Sequence, residues 1–187
     1  MDNSSFIKIG SGGNKNGKVW DERGKNTIVQ IFIWHNEKIN SIQFQYAENG
    51  TLVLSGRHGS TSYDTPKFDV VELNYPSEYI TWISGHTGST TSYYSDDRLC
   101  SITFGTNHGQ YGPFGRFNSS GFGRSNSFDK EFTFRLGGNC HCQFGGFYGT
   151  SDGNAVTSIG VYLKPNTTLN HSLHKSTVKP KKEKEAA

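Results

Sequence analysis

What most constrains this chain is a short alternation that keeps restarting along its length. Ile42, Phe44 and Tyr46 alternate with Gln43 and Gln45, the period of two that turns one face of a strand to a core and the other to water. The alternation returns at Cys100, Ile102 and Phe104, at Phe132, Phe134 and Leu136, and at Ile159, Val161 and Leu163. Ile28 to Trp34 is a β-branched and aromatic run too short for a typical helix. Turn pairs separate these segments: Asn49-Gly50, His58-Gly59, His108-Gly109 and Asp152-Gly153. No window sustains apolar residues at helical spacing, and no βαβ unit is apparent. Many short strands with tight turns predict an all-β sandwich, barrel or prism.

Composition agrees. Glycine is 23 of 187 residues, nearly twice ordinary usage, and long helices tolerate it poorly. Thirteen Phe, nine Tyr and three Trp let a few large rings supply much of the buried apolar area. The net charge of +3 is misleading, because from Lys175 onward there are five lysines against two glutamates. The tail thus holds the whole excess, and a near-neutral body gives no indication of nucleic-acid binding. Residues 1–5 and 166–187 read as disordered ends, with the ordered body at 6–165. Arg116 to Lys130, rich in Gly, Ser and Asn, reads as a long mobile loop. No secretory signal opens the sequence, no apolar run reaches the ~18 residues of a membrane span, and three cysteines cannot close a disulfide framework. These features predict a cytoplasmic protein with thiols and no membrane partner.

The strand and turn phrases are also specific. Gly12-Gly13-Asn14, Trp20-Asp21, PSEYIT (Pro76–Thr81), ISGHTG (Ile83–Gly88), RLCSITF (Arg98–Phe104), YGPFG (Tyr111–Gly115), FGGFYG (Phe144–Gly149) and SIGVYL (Ser158–Leu163) follow one another. In that order they resemble the jacalin-related lectin domains, over nearly all of Ile7–Lys164. The resemblance implies a β-prism of three four-stranded antiparallel sheets, an arrangement that periodicity alone does not give. GTLVLSGRHG (Gly50–Gly59), FDVVELNYPSEYIT (Phe68–Thr81) and QFGGFYGT (Gln143–Thr150) are similar to a branch of the family that restricts long-distance potyvirus movement in plants. That likeness implies a defence role, self-association and protein partners.

In sugar-binding members of the family the monosaccharide lies between a Gly-Gly turn near the N-terminus and a loop of form G-x-x-x-D before the last strand. A hexose presents paired hydroxyls, so such a site needs backbone N–H groups and one carboxylate in fixed geometry. Mapped by resemblance, the second loop is Gly153-Asn154-Ala155-Val156-Thr157, and the first supplies Asn16-Gly17 where two glycines are expected. Thr157 stands where the family has its carboxylate. One hydroxyl in place of two charged oxygens predicts a ten- to hundred-fold weaker mannose or glucose site, at ~1.5–3 kcal/mol per charged bond. Asp152 is a candidate substitute carboxylate. Tyr93 and Tyr94, in the loop between Gly88 and Arg98, are candidates to stack on a sugar face or simply to cover a sheet end.

Other clusters carry less. Cys140-His141-Cys142 lacks the spacing and second pair of a metal site, and its two thiols read as packing groups. His58, His86 and His108 neighbour turn glycines and read as turn residues. Asp69 and Glu72 read as solvated or salt-bridged, and no nucleophile–base signature is present. The sequence therefore predicts no catalytic residue, metal or cofactor. It leaves two functions open: a mannose/glucose-class lectin acting against systemic virus movement, or a β-prism interaction module with sugar binding weakened or lost.

Overall fold

The computed structural model describes residues 6–25, 27–62, 67–89, 97–116, 130–136 and 142–165. Its strands are β1 (Ile7–Gly13), β2 (Lys18–Asp21), β3 (Ile28–His35), β4 (Ile39–Glu48), β5 (Thr51–Leu54), β6 (His58–Gly59) and β7 (Lys67–Glu72). They continue as β8 (Ile80–Ser89), β9 (Asp97–Thr106), β10 (Gln110–Gly115), β11 (Lys130–Arg135), β12 (Cys142–Ser151) and β13 (Val156–Pro165). No helix occurs among the described residues. The proposed ends at 1–5 and 166–187, most of the Arg116–Lys130 loop, and Tyr93 and Tyr94 lie outside them.

The strands form three antiparallel sheets. Their orders are β1-β13-β12-β2, β10-β9-β8-β11 and β5-β4-β3-β7, with β6 pairing β4 beyond the end of β5. This is the three-sheet prism the resemblance implies, with one short added segment. The alternation read from sequence is what closes it. Ile42, Phe44 and Tyr46 of β4 are buried while Gln43 and Gln45 face outward. Asn49 and Gly50, with φ of 50° and 78°, make the left-handed turn that links Glu48 to its partner Thr51.

Phenylalanines from all three sheets meet in the core: Phe44 from β4, Phe104 from β9 and Phe147 from β12. Phe44 stacks on Phe147 at 4.9 Å between centroids, and Phe104 meets Phe147 edge-on at 6.0 Å. All three are fully buried. Each burial contributes about 1.5–3 kcal/mol, so this trio is a principal tie between sheets that share no backbone ladder.

The cysteines differ from expectation. Cys142 is disulfide-bonded, not a packing thiol, because an odd count leaves one sulfur over without forbidding a bridge between two others. Cys100 is a buried thiol that donates to the Gly88 carbonyl at 3.4 Å, and Cys140 lies outside the described residues.

Candidate functional site

The first candidate loop joins β1 to β2 and the second joins β12 to β13, and all four strands belong to one sheet. Two glycines let the loops touch. Gly13 has φ +108°, and a Cβ there would stand 2.1 Å from the Thr157 carbonyl oxygen. Gly17 has φ +114°, and its Cβ would stand 2.4 Å from the Ser151 carbonyl oxygen. Only a residue without Cβ allows this approach at these angles. The Asn14 N–H then donates to the Thr157 carbonyl at 3.1 Å.

Hydroxyls complete the joint. Thr157, only 3% exposed, places its Oγ1 2.7 Å from the Asn16 carbonyl oxygen and 2.7 Å from Thr150 Oγ1. Thr150 Oγ1 donates to the Asn14 carbonyl at 3.0 Å and lies 2.6 Å from Ser158 Oγ. Ser158 Oγ also accepts from the Thr150 N–H at 3.1 Å. The hydroxyl at the family's carboxylate position is thus engaged inward, holding the first loop by its backbone.

Asp152 is engaged as well. Its Oδ1 accepts from the backbone N–H groups of Asn154 (2.7 Å) and Ala155 (2.8 Å). Arg98 Nη1, from β9, lies 2.9 Å from Oδ1 and 2.7 Å from Oδ2. Partial burial pushes the Asp152 carboxyl up, but the two backbone bonds and the Arg98 guanidinium outweigh it and hold the group below its ordinary value. Asp152 therefore fastens its own loop to a second sheet, and the Asn154 and Ala155 backbone donors are satisfied from within.

Of the candidate residues, Gly17, Gly153 and Asn154 are exposed and form the accessible rim, Asp152 is half-buried, and Ala155, Val156 and Thr157 are buried. Arg98, Thr150 and Ser158 belong to the site and were not singled out from sequence. Arg98 lies 54 residues from Asp152, and the phrase RLCSITF gives no sign that its arginine crosses between sheets. Below the rim, Ser151, Asp152 and Gly153 border a cleft of about 520 Å³ whose far wall includes Trp20, Arg57 and His58. His58 is no simple turn residue: it stacks on Trp20 at 4.4 Å and meets Glu22 Oε1 at 2.7 Å. Asp69 is engaged by His35 Nε2 at 2.7 Å. Among the described residues no three His, Cys, Asp or Glu side chains are placed to hold a metal.

Comparison with known proteins agrees with the geometry. Residues 9–162 match the Jacalin-like lectin domain. The chain is 46% identical over 156 residues to Inactive protein RESTRICTED TEV MOVEMENT 1 of Arabidopsis thaliana, and 45% identical to Protein RESTRICTED TEV MOVEMENT 1 of the same plant. Each alignment covers 80% of this chain and 79% of the relative. A mannose binding jacalin related lectin from Ananas comosus superposes with a TM-score of 0.68 at 28% identity, over 87% of this chain and 99% of that one.

Proposed function

This chain belongs to the Jacalin-like lectin domain family, and from that premise we propose that it is a carbohydrate-binding protein of the mannose/glucose class that acts in plant defence by restricting systemic virus movement. The observation that carries the sugar reading is the joint between the two loops. Gly13 and Gly17 press the first loop against the second, and Gly17, Gly153 and Asn154 are the exposed candidate residues of the two loops, with the Asn154 side-chain amide able to donate to a sugar. The defence reading is supported by the identity to the two RESTRICTED TEV MOVEMENT 1 proteins. The site is a weak one, because Thr157 turns its hydroxyl inward and Asp152 already holds two of the loop's N–H groups.

That same inward engagement favours a second reading, in which the prism serves as an interaction module through self-association and protein partners. Calorimetric titration with methyl mannoside and methyl glucoside separates the two. The lectin reading predicts saturable binding in the millimolar range, about −4 kcal/mol. No detectable heat at tens of millimolar sugar, with self-association seen in sedimentation, decides for the module. The defence role predicts that plants lacking the protein allow virus into distant leaves; unchanged spread contradicts it.

A further inference from the structure

An antiparallel sheet that meets water on one side ordinarily turns polar residues to it. The outer face of the sheet β5-β4-β3-β7 departs from that rule. Ile31, Ile33 and Val71 are buried in the core, so the register sends the residues between them outward. Gln30 lies beside Glu72, Phe32 beside Val70, and Trp34 beside Phe68. Of the eight large apolar side chains left exposed among the described residues, four share this face: Phe68 (51%) and Val70 (44%) on β7, Leu52 and Leu54 on β5. Its aromatic rings are mutually packed. Phe32 stacks on Phe68 at 6.3 Å, and Phe68 meets Trp34 at 4.9 Å. The Arg57 guanidinium lies 4.0 Å from the Trp34 ring centroid, and its Nε donates to Ser41 Oγ at 2.8 Å. Side chains held in this way lose little freedom when a partner covers them, and Trp and Arg are enriched among the anchors of protein interfaces.

The charges indicate which partner fits. Glu72 stands at one end of the apolar patch and Arg57, folded over Trp34, at the other, about 13 Å away along the strands. Neither has an ion-pair partner among the described residues, and Val70 and Phe32 lie between them. A two-fold axis in the plane of the interface, through this middle row, sets Glu72 of each copy opposite Arg57 of the other. The apolar row then packs on its own counterpart. A patch with charges of one sign repels its own copy, whereas one that is acidic at one end and basic at the other complements itself. A foreign partner has no need of both signs in that arrangement. Four strands about 4.8 Å apart and about seven residues long give a footprint of roughly 20 by 24 Å. With side-chain relief its accessible area is on the order of the ~800 Å² that one partner of a stable pair buries.

We propose that the outer face of this sheet is the surface through which two copies of the chain pair, with Phe32, Trp34, Phe68 and Val70 at its centre and a Glu72–Arg57 ion pair at either end. The proposal rests on the interaction-module reading and names the surface on which that self-association occurs, on a different sheet from the strands that carry the two sugar loops.

The test is sedimentation equilibrium of the full chain across a range of concentrations. The native chain should form a two-copy species with a Kd in the micromolar range. V70E puts a carboxylate at the apolar centre and should weaken pairing roughly tenfold or more. E72R and R57E each set like charges opposite one another and should each weaken it roughly tenfold. The double variant E72R/R57E exchanges the two charges and should recover most of that loss. V19E, on the exposed Val19 of β2 in another sheet, should pair as the native chain does. Melting temperatures establish that each variant is folded. E72R decides the matter if V70E or R57E is not, because the Glu72 side chain is exposed and makes no hydrogen bond or ion pair among the described residues. Native pairing that E72R and V70E leave unchanged would overturn this surface while self-association itself stands. A native chain that stays monomeric at roughly 100 µM would overturn both, and leave the face to a different protein. Folded single variants that lose pairing, with no recovery in the double variant, would overturn the two-fold arrangement.

Discussion

Replacing Thr157 by valine keeps the side chain's shape and removes only its hydroxyl, at the position where a resident carboxylate is expected of the family. The hydroxyl has two contacts at 2.7 Å, to the Asn16 carbonyl and to Thr150 Oγ1, in a pocket where Thr150, Thr157 and Ser158 are all buried. In the variant Thr150 keeps the Asn14 carbonyl and Ser158 as partners. Asn16 lies in an exposed loop, so water can reach its carbonyl. The loss is therefore nearer one net hydrogen bond than a stranded polar group, about 1–2 kcal/mol. For a domain of this size each kcal/mol moves the melting temperature by about 2–4 °C, so Thr157→Val should melt about 2–8 °C lower by calorimetry, and Thr157→Ser close to native. A valine variant that melts with the native protein would refute the assignment of Thr157 as the clasp between the loops. A fall beyond about 15 °C would show that the joint holds far more than one hydrogen bond.

Thr157→Asp should raise mannose affinity roughly ten-fold or more by restoring a carboxylate, yet melt below the valine variant because that carboxylate meets the Asn16 carbonyl; equal sugar affinity in both proteins removes Thr157 from the account of weak binding. Because the folded Asp152 carboxyl lies below its ordinary value of 3.8, the stability it contributes is complete above that pH and is lost as the pH falls through the lower folded value. Asp152→Asn should thus cost several degrees at pH 7 and show a shallower acid loss in a melting series, and an unaltered acid limb would count against it. Glu78, which burial pushes up but bonds from Asn74, Thr106 and Tyr111 bring below its ordinary value, leaves part of that limb in place. Gly17→Ala should destabilise by about 2 kcal/mol or more, since φ is +114° and the Cβ strikes the Ser151 carbonyl, whereas Gly153→Ala meets nothing within 4 Å and should melt as native. Equal melting of the two alanine variants would contradict the packed joint.

The fold was legible wherever period and turn agreed. Ile42, Phe44 and Tyr46 point inward as their spacing predicts, and Asn49-Gly50 closes the hairpin it announces. The closing of three sheets on Phe44, Phe104 and Phe147 was not legible, because residues so far apart meet only once the prism exists. The family resemblance supplied it. At the site, the sequence exposed the departure at Thr157 but not its direction. A G-x-x-x-T string does not say that the last three side chains are buried, nor that the hydroxyl faces Asn16. Asp152 next to the loop looked like a spare carboxylate, and only the folded chain brings Arg98 to it from β9.

The central claim is that a weak sugar site persists on the rim formed by Gly17, Gly153 and Asn154. Backbone amide spectra recorded during titration with methyl mannoside test it residue by residue. Saturable shifts in the millimolar range are expected, confined to residues near Gly17 and Gly153–Thr157. Shifts centred elsewhere on the prism, or none at saturating sugar, contradict it.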